Sequence, residues 1–499
     1  MDMKAFKYSF MLLLAMVLTF ACNEKNLDLK PLTETEANFF QDEIDYERSV
    51  VALYSKLADH YTYNNNSWEH EFFLLPGDDI TSNNAYAYEI FATLQPGDGD
   101  LNRAYDLYYQ LINRTNTFVE KIQMDEERPE SVYSSLSTRD NHKGEALFLR
   151  GLANFMLWNY FGTSPLVTER INSQDAINPP SSDGIQLLDQ AIADFTEAAN
   201  LLPGSWPDVY RGRATKSSAN GYLGKAYVFK ASWTADNGLF SQAISTFDNI
   251  TDKSLMANYR DNFSINAENN AESLFEVQNS NPTATDNVWL SNDDFTVIGT
   301  MSAFYGFYNN HWSFWDGTPW VATNKLINSI DPDDPRLPEI VNTADKIIQK
   351  YILEDQLTNT GVGSLNNFRL LRWADVLLLK AEALNETEDQ NGAIELINQV
   401  RARARNMGST GEPADRVTGA TQEQVRLWII DERFVELAGE GQRWLDLRRW
   451  HKAGHINLSS FDFSSDTQSF NISMPKHLYY PIPTGEVDLN KNVNQNEGY

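Results

Sequence analysis

Ala146, Arg150, Ala153, Leu157 and Tyr160 recur at steps of 4, 3, 4 and 3. That spacing lines small and large side chains along one face of a helix. The stepping returns at Leu370, Ala374, Leu377, Ala381 and Leu384. Each stripe has an amphipathic partner: Ile185, Leu188, Ile192, Phe195 and Leu202 for the first, and Ala393, Leu396, Ile397, Val400 and Ala404 for the second. Gly162 and Pro165 close the first helix, and Asp183 stands where it can cap the next. Two more pairs are legible. One joins Ile44, Val51, Tyr54, Leu57 and Tyr61 to Leu101, Tyr105, Tyr108, Ile112, Val119 and Ile122; the other joins Ala219, Leu223, Ala226 and Lys230 to Phe240, Ala243, Ile244, Phe247 and Ile250. An apolar stripe must be buried against a neighbour. Four antiparallel pairs with Ala at their crossings therefore predict an all-α fold of degenerate tetratricopeptide-like repeats, at about 36–123, 144–202, 214–251 and 369–405. A generic helical bundle would satisfy the periodicity as well.

Residues 252–367 break this rhythm. Helical periodicity weakens there, short β-like runs such as Ser273–Val277 appear, and the stretch reads as an insertion between the third and fourth pairs. Within it, eight of the seventeen residues from Phe304 to Trp320 are aromatic, where a chain-wide 12% would give about two. Gly306 and the run Gly317, Thr318, Pro319 interrupt any long helix, so these rings belong to an irregular connection of the kind that often carries binding residues. Flat rings beside short amides suit a sugar: the ring covers the C–H face of a pyranose and the amides take its hydroxyls. The candidate contacts are Trp312, Trp315 and Trp320, with Tyr305, Tyr308 and Asn309. Tyr86 and Asn83 join them from a polar, ring-bearing segment after Leu75, Pro76, Gly77, Asp78 and Asp79. The competing use of these rings is to pack the loop onto the core.

Residues 1–21 read as a signal peptide, with Lys4 and Lys7 ahead of an apolar run from Phe10 to Ala21 that is too short to span a bilayer. Cys22, the only cysteine of 499 residues, follows Ala21 directly. The site resembles a bacterial lipobox, with Cys22 as the lipid attachment site and residues 22–31 as a lipidated tether. The formal charge of −29 sets the protein's own field against nucleic acid and polyanionic glycans. A neutral glycan such as laminarin or another glucan is the expected ligand class.

The last segment, 421–499, opens on a helix expected from about Thr421 to Leu437, with Thr421 and Gln424 spaced as a capping box. An irregular tail follows. Here Glu432, Arg433, Glu436, Leu437, Glu440, Gly441, Arg443, Asp446, Leu447 and Arg449 stand in one run. That run resembles the pattern ER-x-x-EL-x-x-EG-x-R-x-x-DL-x-R of the SusD/RagB family of outer-membrane nutrient-binding lipoproteins. Leu370–Leu384 resembles the family's fourth repeat, and Pro481, Ile482 and Pro483 with Gln495–Tyr499 resemble its ending. Arg213–Lys216, Asp334–Arg336 and Asn159–Pro165 are similar to weaker internal signatures. The resemblance implies that residues 32–499 form a SusD-like domain of four tetratricopeptide pairs, with a loop-rich ligand-binding insertion. It implies a non-catalytic, surface-exposed outer-membrane protein that hands glycan to a TonB-dependent transporter of the SusC type. It also implies that ligand is met by the loops Asp78–Phe91 and Trp289–Trp320.

Other chemistry is thinly supported. The paired carboxylates Glu432, Glu436 and Glu440 could form an acid–base couple, but the resemblance makes them a charged network locking the last helix onto the tail. His451 and His455 have the spacing of two zinc ligands, but no glutamate follows His451 and Gly454 weakens the helix. Asp331, Asp333 and Asp334 could approach calcium, but Pro332 and Pro335 make a proline-locked turn of them. No metal and no cofactor is expected. The alternatives to a glycan-binding lipoprotein are a lipid-anchored glycosidase and a tetratricopeptide-type protein–protein adaptor.

Overall fold

The structure, a computed structural model, describes residues 39–61, 69–82, 87–173, 177–278, 320–351, 366–463 and 470–499. Among the described residues are ten helices of ten residues or more: α1 Glu43–Ala58, α2 Gly99–Glu126, α3 Leu136–Phe161, α4 Gln186–Leu201, α5 Lys216–Thr234, α6 Gly238–Asp248, α7 Trp373–Glu386, α8 Gln390–Arg405, α9 Gln422–Glu436 and α10 Arg443–Lys452. The strands are short: β1 Ile80–Thr81, β2 Ser273–Val277, β3 Val321–Ala322, β4 Val341–Asn342, β5 Ile347–Ile348 and β6 Phe368–Arg372.

Helix α3 is the axis of the core. Every residue from 144 to 161 is buried, because α2 and α4 pack on its flanks and α1 packs against it too. Gly151 permits the closest of these approaches: a Cβ there would stand 2.9 Å from the Phe195 ring of α4. From α4 the stack continues through α5, α6 and α7 to α8, each helix packed on the next. A second, smaller core gathers Leu378, Ile394, Ile397, Val425 and Ile429 between α7, α8 and α9.

The helix ends follow local chemistry. Asp183 Oδ1 accepts the N–H groups of Ile185 and Gln186, both at 3.0 Å. A reciprocal Thr215–Ser218 capping box opens α5. Thr421 Oγ1 accepts the Gln424 N–H at 3.3 Å at the head of α9.

The stretch between α6 and α7 is sewn into the helical body at both ends. Strand β2 pairs antiparallel with β6, both wholly buried, and β6 runs straight into α7. A four-stranded sheet of order β1–β3–β5–β4 lies alongside. The C-terminal segment departs from expectation: instead of an irregular tail directly after α9, it forms α10. All eight residues from Arg443 to Trp450 are buried. Charged side chains interrupt its apolar pattern, and buried ion pairs join Trp444, Leu445, Leu447 and Trp450 in seating it.

Candidate functional site

The flanks of two chain segments suspected of meeting ligand are joined by a pair of two-residue strands. In the antiparallel β1–β3 pair, Thr81 faces Val321 and Ile80 faces Ala322. The chain therefore leaves β1 at Ser82 beside the point where it enters β3 from Trp320. The remaining loop candidates, Asn83, Tyr86, Tyr305, Tyr308, Asn309, Trp312 and Trp315, lie outside the described residues, as does Cys22. Trp320 is described, and the expectation for it is corrected. Its side chain is 0% exposed and belongs to the main hydrophobic core. A ring enclosed on both faces cannot stack on a sugar, so Trp320 anchors the segment that precedes it.

The base beneath this edge is built from carboxylates that sequence reading passed over. Glu89 closes the short loop after β1: its carboxylate accepts the Thr81 hydroxyl at 2.6 Å and the Ser82 N–H at 3.2 Å. Burial pushes Glu89 up to about 7, with those two donors pulling it back. Asp78 is clamped by Arg443 at 2.5 Å and Lys325 at 2.7 Å. Burial alone would raise its pKa, but the two cations hold it below the usual range. Asp79 Oδ2 accepts the Gly439 N–H at 3.0 Å. Burial pushes Asp79 up to about 6, the Gly439 N–H opposing and the neighbouring Asp78 charge assisting. Thr323, just after β3, donates its hydroxyl to Asp78 O at 2.7 Å and its N–H to Asp79 O at 3.0 Å. The adjacent pair Asp78–Asp79 after Pro76 and Gly77 was the one visible signal of this base.

Arg443 connects the base to a buried charge network. Glu436 Oε1 lies 2.6 Å from Arg372 and pairs with Arg403, while its Oε2 is 2.9 Å from Arg336. Glu440 takes Arg372 and Lys350, both at 2.8 Å. Arg336 also holds Asp334 at 2.8 Å and Glu432 at 2.6 Å. Tyr259 donates its hydroxyl to Glu436 O at 3.0 Å beneath the Arg403 guanidinium, 4.9 Å from its ring centroid. A second chain of pairs runs Lys225–Asp375–Arg433–Asp446–Arg449–Glu382. The expected lock of α9 onto the segment after it is present in the Arg433–Asp446 pair, 2.8 Å, and the network reaches further. These charges tie α9 and α10 to the fourth helix pair, to α5 and to the stretch before β6, and Arg448 reaches the tail at Leu478 O, 2.6 Å away.

This burial makes a pH prediction. Glu71 is pushed up to about 9 by burial and then by Asp100 and Asp98. Glu145 is pushed up to about 8 by burial, despite Arg213 and the Tyr54 hydroxyl. Between the ordinary carboxylate range and these raised values the folded chain keeps protons that the unfolded chain has released, so stability falls as pH rises. For Glu436 and Glu440, burial is outweighed by arginines, and Lys350 adds to the effect at Glu440, so both sit low. They contribute stability that is lost as pH drops below about 4.5. Thermal midpoints should therefore peak near about pH 5 and decline toward about pH 8.5. Glu145→Gln should flatten the alkaline limb, and a midpoint rising steadily from about pH 5 to 8.5 would contradict the assignment.

Among the described residues, neither metal candidate gathers ligands. Asp334 is occupied by Arg336, and Asp331 Oδ1 accepts the Asp333 N–H at 2.8 Å. His451 Nδ1 accepts the Leu458 N–H at 3.3 Å.

Comparison with known proteins places this architecture. A family model described as the SusD family matches residues 208–499, and one described as starch-binding associating with outer membrane matches residues 25–228. SusD-like protein P38 of Formosa agariphila is 27% identical over 402 residues, covering 70% of this chain and 73% of the relative. A SusD homolog from Bacteroides thetaiotaomicron has a TM-score of 0.75 at 21% identity, over 93% of this chain and 99% of that one. A laminarin-binding SusD-like protein has a TM-score of 0.72 at 22% identity, over 92% and 100%. The predominantly α-helical, tetratricopeptide-like body is the one these structures share.

Proposed function

The chain belongs to the SusD/RagB family of outer-membrane glycan-binding proteins, and from that premise we propose that it captures a neutral glucan at the cell surface and delivers it to a SusC-like TonB-dependent transporter. It is a binding protein and not an enzyme. The observation that supports the reading is the β1–β3 register, which sets Ser82, just before one ring- and amide-bearing segment, beside Trp320, at the end of the other. Trp312 and Trp315 form the main sugar platform, with Tyr305, Tyr308, Asn309, Tyr86 and Asn83 as further contacts. Each stacked ring contributes on the order of 1 kcal/mol, by analogy with aromatic pairs.

Support for a neutral ligand comes from charge: at −29 the protein repels polyanions. Support for laminarin comes from the laminarin-binding relative. Retention of the protein in native gels containing laminarin, another β-glucan or an α-glucan tests the reading. Free migration in every gel, with retention by a sulfated or uronic polymer, would overturn the neutral assignment.

Lipidation at Cys22 holds the protein at the outer membrane. Cys22→Ala should leave the membrane fraction, and mild detergent extraction of the wild-type chain should bring a barrel of transporter size with it. A Cys22→Ala chain that stays membrane-bound sinks the anchor. Recovery of the wild-type chain alone at several detergent strengths sinks the partner.

A further inference from the structure

Between α4 and α5 the chain crosses the surface through Trp206, Val209 and Tyr210, with Val209 81% and Tyr210 37% exposed. Trp206 is half-buried, and its Nε1–H donates to Ala214 O at 2.7 Å, which fixes the plane of the indole. The Tyr210 ring meets it edge-on at 6.0 Å. The Arg213 guanidinium lies 5.3 Å from the Trp206 ring centroid and 4.3 Å from that of Tyr210. Arg213 is itself held by Glu47 and Glu145. The ring pair is therefore a prepared surface, rigid before any ligand arrives.

Beside Trp206 lies a pocket of ≈ 160 Å³ whose polar groups include Thr215, Asp252, Lys253 and Asn269. Among the described residues the Lys253 ammonium makes no hydrogen bond and no ion pair. Burial lowers its pKa, with Asp252 and Glu276 opposing that from nearby. Across Arg211–Arg213 a second pocket of ≈ 250 Å³ is walled by Val51, Tyr54 and Val277. The two pockets share Arg211, Gly212, Arg213, Phe275 and Glu276, so they adjoin across that segment. One offers an indole and polar groups, and the other a hydrocarbon wall.

We propose that these adjoining pockets form a second carbohydrate-contact site, in which Trp206 stacks on one pyranose, Lys253 and Asp252 take its hydroxyls, and the apolar pocket receives the C–H face of the next sugar. The inference rests on the glycan-binding reading and adds a site built on the α4–α5 connection and the start of the stretch after α6, apart from the β1–β3 residues. Its chemistry fits a sugar better than a peptide. A fixed aromatic plane and an apolar wall flank mixed donors and acceptors of both signs of charge. A polymer spanning two sites on one chain is held by both, so losing one lowers retention more for long chains than for short ones.

Trp206→Ala and Lys253→Gln in the full mature chain test this in native gels containing laminarin or pullulan, with thermal midpoints measured alongside. Each variant should weaken retention of the bound polymer about 3- to 10-fold, the scale of one aromatic or polar contact. Lys253→Gln should keep the wild-type midpoint. If Trp206→Ala melts early, Lys253→Gln alone decides. Wild-type retention of both variants overturns the second site and leaves the glycan reading standing. A wild-type chain that neither polymer nor any other polysaccharide retains overturns both.

Discussion

Glu436→Ala is expected to remove about 3–5 kcal/mol of unfolding stability, the usual consequence of deleting one partner of a buried ion pair. The carboxylate is 0% exposed and serves Arg336, Arg372 and Arg403 together. Its removal leaves three guanidinium groups facing one another in a region closed to water, with Glu432, Glu440, Glu272 and Asp334 to share among them. Their mutual repulsion then acts at low dielectric. Those arginines come from the turn before β4, the end of β6 and the last turn of α8, so the loss should loosen the stretch before β6 along with α9. Glu423→Ala is the control, because its pair with Arg426 is on the surface and such pairs contribute about 0–1 kcal/mol. Denaturant unfolding of the two variants checks this. Equal stability of Glu436→Ala and Glu423→Ala would mean that the network carries no net stabilisation.

Trp320→Ala is expected to lose a similar amount, about 3–5 kcal/mol, for a different reason: a fully buried indole leaves a cavity that its neighbours fill only in part. The ring sits immediately before β3, whose two residues hold the β1 edge and the β5 edge at once. The variant should therefore melt early and lose ligand retention in proportion. A Trp320→Ala chain with the wild-type melting temperature and no glycan retention would return Trp320 to the ligand surface, against its placement in the core.

The long helices were legible because their burial is hydrophobic and regular. The stripe from Ala146 to Tyr160 identifies α3, and Leu377, Ala381, Ile397 and Val400 identify α7 and α8, since these residues fill the cores they predict. Strand β2 was legible as Ser273–Val277. Helix α10 was not, because Arg443, Asp446, Arg448 and Arg449 read as surface, and only the positions of Asp78, Arg433, Glu382 and Asn159 in space make them core. Such partners lie up to 365 residues away, and no local pattern records them. The β1–β3 pair was hidden for the opposite reason, since two-residue strands are too short to show alternation. Of the aromatic stretch Trp320 alone is described, and there composition misled. Composition marks Trp320 and Trp315 alike, and the two-residue register that follows Trp320 is what turns it inward.

The central claim is that the segments meeting at the β1–β3 edge carry the glycan platform. The most direct test is the double variant Trp312→Ala, Trp315→Ala, run in native gels containing the preferred glucan with its melting temperature measured in parallel. The melting temperature should stay close to wild type and retention should fall by about 10-fold or more, the sum of two stacking contacts. A double variant that folds normally and is retained like the wild type would place the platform elsewhere and contradict the account.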